Sequence, residues 1–245
     1  MRLLDAVIDL VLAPACLGCD RPMRPADPAR PFCRHCRSRC RPLPAPCCPR
    51  CHAPLRRTGR SAARGCDECR AWPLELVTAR SAFLLEPPAD RLVHQLKYRG
   101  WSVAAPVMAE LMQPLLTPAV DGHPPVIVPV PTTRARIRRR GYNQAGLVAH
   151  ALAQLASCDC IEALSRAAAI ATQTTLQPVA RRANVAGAFT GHHRYAERLP
   201  GAHVVLVDDV LTTGATAAEC ARVLGAAGVC CVRLVTFARA LDVRG

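Results

Sequence analysis

Two short, unbroken apolar runs mark the chain, V-I-V-P-V over residues 126–130 and V-V-L-V over residues 204–207. Unbroken runs of this length, mostly β-branched, suit strands covered on both faces, as in a parallel sheet. A further strand is expected over residues 81–86. Helices are expected over 89–98, closing near Gly100, and over 145–155, where apolar positions recur at helical spacing. Near the start of the chain Leu4, Val7, Ile8, Val11 and Leu12 share one helical face, which predicts a short amphipathic helix packed on the protein. Strands interleaved with helices make the expected architecture α/β.

The run over 204–207 is followed at once by Asp208 and Asp209, where the strand is expected to end, and then by the turn Thr212, Thr213, Gly214, Ala215, Thr216 leading into a helix-forming stretch. Such a turn aims backbone N–H groups and the positive end of a helix at whatever lies in the loop, and a phosphate fits that description. In an open α/β sheet, ligands bind beyond the carboxyl ends of the strands, so the acids and the phosphate cradle are expected to face one crevice. Carboxylates beside an anion site imply a metal or sugar hydroxyls between them.

The first 69 residues break the pattern. They hold ten of the fifteen cysteines, are rich in proline and arginine, and lack long apolar runs, so they need metal or cross-links to fold. Four C-x-x-C pairs occur in order: Cys16/Cys19, Cys33/Cys36, Cys48/Cys51 and Cys66/Cys69. Each two-pair unit has zinc-ribbon spacing, and the unit repeats. Four thiolates close a tetrahedron, so Zn2+ here, up to two ions, is expected to be structural. Consecutive pairing is the simplest assignment and a crossed one remains open, with Cys47, His35 and His52 as alternative ligands. Cys158, Cys160, Cys220, Cys230 and Cys231 lack knuckle spacing and are expected to be small core residues. From about residue 74 onward the chain reads as an ordinary globular domain of its own.

Charge adds a partner class. The net charge is +14, carried by 31 arginines and a single lysine, Lys97, which favours phosphate-bearing partners. Five arginines fall within residues 134–140. Arg134, Arg136, Arg138 and Arg139, with Arg140 and Gly141, are expected on a loop at the end of the 126–130 strand, facing pyrophosphate or a nucleic-acid backbone. With aromatics at only 4%, stacking of bases on a broad platform is not expected. Residues 171–189 are polar, contain Pro178 and show no periodicity, which suggests a lid over the substrate. Asp5 and Asp9 interrupt any signal-like apolar core, so a cytoplasmic protein without membrane insertion is expected, and there thiols stay reduced.

The acidic turn resembles the 5-phosphoribosyl 1-pyrophosphate (PRPP) loop of type I phosphoribosyltransferases. Together with the doubled C-x-x-C repeat, L96-K-Y-R-G100, the strand end at 128–131 with R140-G-Y-N-Q144, and R181-R-A-N184, it makes nearly the whole chain similar, in order, to the ComF family. These are zinc-ribbon-bearing, phosphoribosyltransferase-like proteins associated with DNA uptake during competence. The resemblance implies a type I phosphoribosyltransferase core, a parallel sheet with flanking helices, preceded by a double zinc ribbon over residues 1–73. The second part, 74–245, would comprise a hood to about 120 and a core beyond it.

By the same resemblance, Asp208 and Asp209 hold the ribose of PRPP, directly or through water and Mg2+, and carry any catalysis. Residues 212–216 bind the 5-phosphate, while Lys97, Arg140 and Gly141 lie near the phosphates. Gln173, Arg181, Arg182 and Asn184 sit on the flexible loop. Thr175 and Trp101 depart from the family pattern. The function so implied is PRPP binding in the service of single-stranded DNA handling, together with other competence or DNA-translocation proteins. The alternative is a catalytic phosphoribosyltransferase that displaces pyrophosphate toward an unidentified acceptor. A purely structural zinc adaptor would leave the acidic turn without a purpose.

Overall fold

The computed structural model describes residues 15–24, 27, 31–55, 65–116, 124–167 and 187–241. The elements, in order, are α1 (Arg34–Arg39), β1 (Leu76–Leu84), α2 (Ala89–Tyr98), α3 (Ala104–Met112), β2 (Val126–Pro129), α4 (Arg134–Arg140) and α5 (Gln144–Ala156). They are followed by β3 (Leu164–Arg166), β4 (Phe189–Gly191), β5 (His203–Leu211), α6 (Ala215–Ala226) and β6 (Cys231–Arg239). Four strands make a sheet in the order β1-β6-β5-β2, and every pairing in it is parallel. Strands β3 and β4 form a separate antiparallel pair.

The apolar runs are explained by this sheet. Along β5, Val205 and Val207 pack into one hydrophobic cluster while Val204 and Leu206 pack into another; β6 divides the same way, with Val235 and Phe237 against Val232 and Leu234. Alternate side chains enter opposite faces and both faces are covered, so no polar position is required. The first cluster contains residues of α2, α3 and α5, including Leu92, Leu96, Met108 and Leu152. The second contains Ala217, Cys220 and Leu224 of α6.

The cysteine repeat is divided between the same two layers. Cys16, Phe32 and Cys36 belong to the first cluster, and Cys48, Cys69 and Trp72 to the second. Phe32 is fully buried. Arg91 Nη1 donates to the Gly18 carbonyl at 3.1 Å, and Arg37 pairs with Glu110 at 2.9 Å. The two halves of the repeat therefore rest on opposite faces of one sheet.

Three expectations need correction. The first strand runs over Leu76–Leu84 and not 81–86, because Arg80, which breaks the apolar pattern, is satisfied by carbonyls of Ala79 and Pro49. The arginine stretch is helix α4, not loop: Thr133 Oγ1 accepts from the Arg136 N–H at 3.3 Å, and Gly141 ends the helix with φ of 86°. Asp208 and Asp209 lie within β5 and not at its end, since pairing with β6 continues to Leu211↔Arg239 while pairing with β2 stops at Val207. Helix α2 spans 89–98 as expected, with Gly100 at φ of 70° beyond it. No helix among the described residues is long and apolar enough to cross a membrane. The expected amphipathic helix with the face Leu4 to Leu12 and the polar stretch at 171–186 lie outside the described residues.

Candidate functional site

A cleft of about 950 Å³ opens at the carboxyl ends of the sheet strands, lined by Leu85 after β1, Val130 and Pro131 after β2, and Asp208, Asp209 and Val210 of β5. It forms there because the pairing of β2 stops at Val207, just before the acids, leaving β5 unpaired on that side. Asp208, Asp209, Thr212, Thr216, Lys97, Arg136 and Arg140 all line it. Segments far apart in the chain thus converge on one space. Thr213, Gly214, Ala215 and Gly141 are not among the lining residues.

The two acids differ. Asp209 is buried and pairs with Lys97, Nζ to Oδ1 at 2.9 Å. The Asp208 carboxylate accepts from the Asp209 backbone N–H at 2.8 Å. Burial, and then the neighbouring Asp209 charge, push Asp208 up to about 7, against the smaller opposing pull of that N–H, Lys97 and Arg166. The cleft therefore holds a carboxyl that changes charge near neutral pH, so a ligand that favours the carboxylate would shift its proton to solvent.

The turn behind the acids is held from outside. Gly214 has φ of 77° and precedes α6 without a side chain to compete for the first-turn N–H groups. A Cβ placed on it would meet Trp72 Cζ2 at 2.4 Å, so only glycine fits both the conformation and the contact. Thr213 Oγ1 accepts from the Ala215 N–H at 3.4 Å. Trp72 is in turn fixed by Arg50, whose guanidinium lies 6.0 Å from the ring centroid and donates to carbonyls of Cys69, Trp72, Pro73 and Leu76. The second cysteine cluster thereby abuts the turn that precedes α6.

Opposite the acids the wall is cationic. Arg140 donates Nη1 to Gln144 at 2.8 Å and stacks over Tyr98 at 5.2 Å, yet its Nε is buried without a partner. Asp90 Oδ1 and Gln95 Oε1, on cleft-lining residues of α2, are likewise buried and unpaired. Unmet polar atoms around one cleft indicate a polar ligand or water. The helical form of α4 sorts its arginines: Arg136 and Arg140, one turn apart, line the cleft, whereas Arg134, Arg138 and Arg139 are exposed and do not. Arg166 at the end of β3 also lines the cleft and is not legible in the sequence, because one arginine among 31 carries no signal. Gln173, Arg181, Arg182 and Asn184 lie outside the described residues.

The cysteines gather as two sets, Cys16, Cys19, Cys33, Cys36 and Cys48, Cys51, Cys66, Cys69, with the sulfurs of each set within 4.8 Å of one another. Consecutive pairing is thus the arrangement present. A tetrahedral ion with Zn–S bonds of about 2.3 Å requires sulfur separations of about 3.8 Å. Cys16 to Cys36 is 3.8 Å, Cys19 to Cys33 3.9 Å, Cys48 to Cys69 3.8 Å and Cys51 to Cys66 3.5 Å. Burial acts to raise the Cys16 and Cys48 thiols, but backbone N–H donors outweigh it and bring each down to about 7, while burial and neighbouring thiols push Cys36 and Cys51 up, so a metal binding there displaces protons. Both sets fit Zn2+. Cys47 instead donates to the Pro44 carbonyl, and His52 Nδ1 accepts from the Ser81 N–H at 3.3 Å. Of the cysteines expected in the core, Cys220 and Cys231 are buried, Cys158 and Cys160 are partly buried and pack against the first cluster, and Cys230 is exposed. Cys230 precedes β6, where no partner strand covers it.

Comparison with known proteins agrees with this arrangement. Residues 107–244 match the phosphoribosyl transferase domain family. The chain is 33% identical over 199 residues to the "DNA utilization protein YhgH" of Escherichia coli (strain K12), covering 79% of this chain and 84% of that protein. It is 32% identical over 158 residues to "Competence protein F" of Haemophilus influenzae (62% and 69%), and 25% identical over 206 residues to "Competence protein ComFC" of Bacillus subtilis (80% and 79%). The chain belongs to the ComF/YhgH family, with an α/β phosphoribosyl transferase domain and two four-cysteine clusters consistent with a double zinc ribbon.

Proposed function

We propose that this protein binds PRPP in the cleft and couples that binding to the handling of single-stranded DNA. The observation that carries the reading is convergence: two acids, a helix-terminal turn and two arginines of α4, Arg136 and Arg140, meet in one cleft at the carboxyl end of a parallel sheet. Asp208 and Asp209 hold the ribose hydroxyls. Residues 212–216 receive the 5-phosphate, with Thr212 and Thr216 in contact, Thr213 and Gly214 supplying backbone N–H groups, and Ala215 supplying its own in exchange for its bond to Thr213 Oγ1. Arg140, Arg136 and Arg166 face the pyrophosphate, and Gly141 frees the end of α4 for its approach. Lys97, paired with Asp209 in the free protein, is positioned to exchange that partner for a phosphate. Mg2+ supplies charge neutralisation for the pyrophosphate when bound with it.

Residues 1–73 form a unit of their own in sequence, held by structural zinc, and residues 74–245 form the binding domain, with the hood reaching about residue 120. The names of the relatives, a DNA utilization protein and competence proteins, support DNA as the partner, and the outward face of Arg134, Arg138 and Arg139 supplies backbone contact. DNA-translocation proteins are further partners, and the site of action is the cytoplasm. Mg2+·PRPP titration of the wild type and of the Asp208→Asn/Asp209→Asn double variant tests the reading.

A catalytic reading is favoured by one observation. At about 950 Å³ the cleft lies at the upper end of the range for small-molecule sites, a size in keeping with two substrates. In that case the bond from the anomeric carbon to pyrophosphate oxygen breaks as an acceptor atom bonds to the carbon, and positioning and electrostatics supply the rate. Release of pyrophosphate that requires both PRPP and an acceptor distinguishes it.

A further inference from the structure

We infer that His203, Cys230 and Cys231 form a third metal site, distinct from the two four-cysteine clusters, that takes a thiophilic divalent cation such as Zn2+ with one position left to solvent. The site follows from strand register. His203 and Cys231 are the first residues of β5 and β6 and stand directly opposite each other in the parallel pairing. Their side chains meet, His203 Nδ1 to Cys231 Sγ at 3.3 Å. Bonds of about 2.0–2.1 Å to nitrogen and 2.3 Å to sulfur at a tetrahedral angle require a separation of about 3.6 Å, so a small outward shift admits an ion. Cys230 completes the set, with all three donor atoms within 4.8 Å of one another.

The loop that presents Cys230 is fastened. The Cys230 N–H donates to the Ala202 carbonyl at 2.9 Å, and the Gly201 N–H donates to the Gly228 carbonyl at 2.8 Å. These bonds hold the approach to β6 against the approach to β5, so the third donor is tied to the same two strands as the other two. One imidazole and two thiolates select a borderline-soft cation over Mg2+ or Ca2+. Burial decreases from Cys231 through His203 to Cys230, so the fourth position faces water. That arrangement differs from a closed structural tetrahedron and leaves the ion exchangeable.

The site lies at the amino ends of the strands, whereas the cleft lies toward their carboxyl ends. His203 and Asp208 are five positions apart on β5, about 16 Å along a strand. The inference does not depend on what the cleft binds.

Zinc stoichiometry on the full reduced chain tests it. After loading with Zn2+ and removal of free ion, the wild type is expected to hold one equivalent more than the Cys230→Ser and His203→Gln chains, and to lose that equivalent first to a competing chelator. Cys230 is exposed, so its replacement leaves packing intact, and the zinc retained in the four-cysteine clusters reports a folded ribbon in each variant. Substitution with Co2+ gives a second readout: the wild-type-minus-variant spectrum is expected to show thiolate-to-cobalt absorption of one site. Equal zinc content in the wild type and both variants, or no cobalt difference spectrum, overturns the site.

Discussion

Lys97, the single lysine of the chain, places its Nζ 2.9 Å from Asp209 Oδ1 across the cleft. This ion pair joins the end of α2 to β5, and its partner Asp209 is the neighbour that raises Asp208. Lys97 acts in the opposite sense, lowering Asp208. Lys97→Gln is therefore expected to move the Asp208 titration upward in pH and to weaken PRPP binding most at neutral pH. A pH series of binding titrations on both proteins checks it, and superimposable profiles would remove Lys97 from the electrostatics of the acids.

PRPP affinity should itself depend on pH. With Asp208 at about 7, the carboxylate fraction rises about tenfold between pH 6 and pH 8, and affinity is expected to follow by about that factor if the ribose is held by the carboxylate. Stability of the free protein runs the other way. Because folding raises this group from its ordinary 3.8 to about 7, its contribution favours the folded state at low pH and declines as pH rises through that window. Asp208→Asn is expected to flatten both dependences, read by calorimetric titration and thermal melts.

How much of this is legible in the sequence depends on whether the signal is local. The strand at β5, the acids and the turn are contiguous, so period, charge and chemistry point to one place. The two cysteine sets are equally plain, because ligand spacing is a local property. Helix α4 reads as loop since its seven residues have only Ala135 and Ile137 to mark a face, and the arginines outweigh its Thr133 and Gly141 caps. Trp72 against Gly214, Arg166 in the cleft and His203 opposite Cys231 depend on tertiary contact or strand register, which no single segment encodes.

Trp72 predicts a link between the ribbon and the cleft. Gly214→Ala must place a side chain at φ of 77° and 2.4 Å from Trp72 Cζ2. The backbone strain alone is about 1–2 kcal/mol, enough for roughly tenfold weaker PRPP binding if it is relieved by distorting the turn. Stripping zinc from the second cluster frees Arg50 and Trp72, and the same direction of change is expected. Titrations on the variant and on chelator-treated wild type check both, and unchanged affinity in both would show that the turn holds its shape unaided.

The outward arginines predict a salt effect. Changing Arg134, Arg138 and Arg139 together to alanine removes three phosphate contacts, which should lower the slope of log affinity against log salt for single-stranded DNA by about 2. PRPP binding should be little altered, since none of the three lines the cleft. Fluorescence anisotropy with a labelled oligonucleotide across a salt series measures it.

Isothermal titration of Mg2+·PRPP into wild type and into the Asp208→Asn/Asp209→Asn double variant tests the central claim most directly. The account predicts one PRPP per chain in the wild type and loss of measurable binding in a variant that retains its zinc and its cooperative melt. Equal PRPP binding by the two proteins, or none by a fully zinc-loaded wild type, would contradict it.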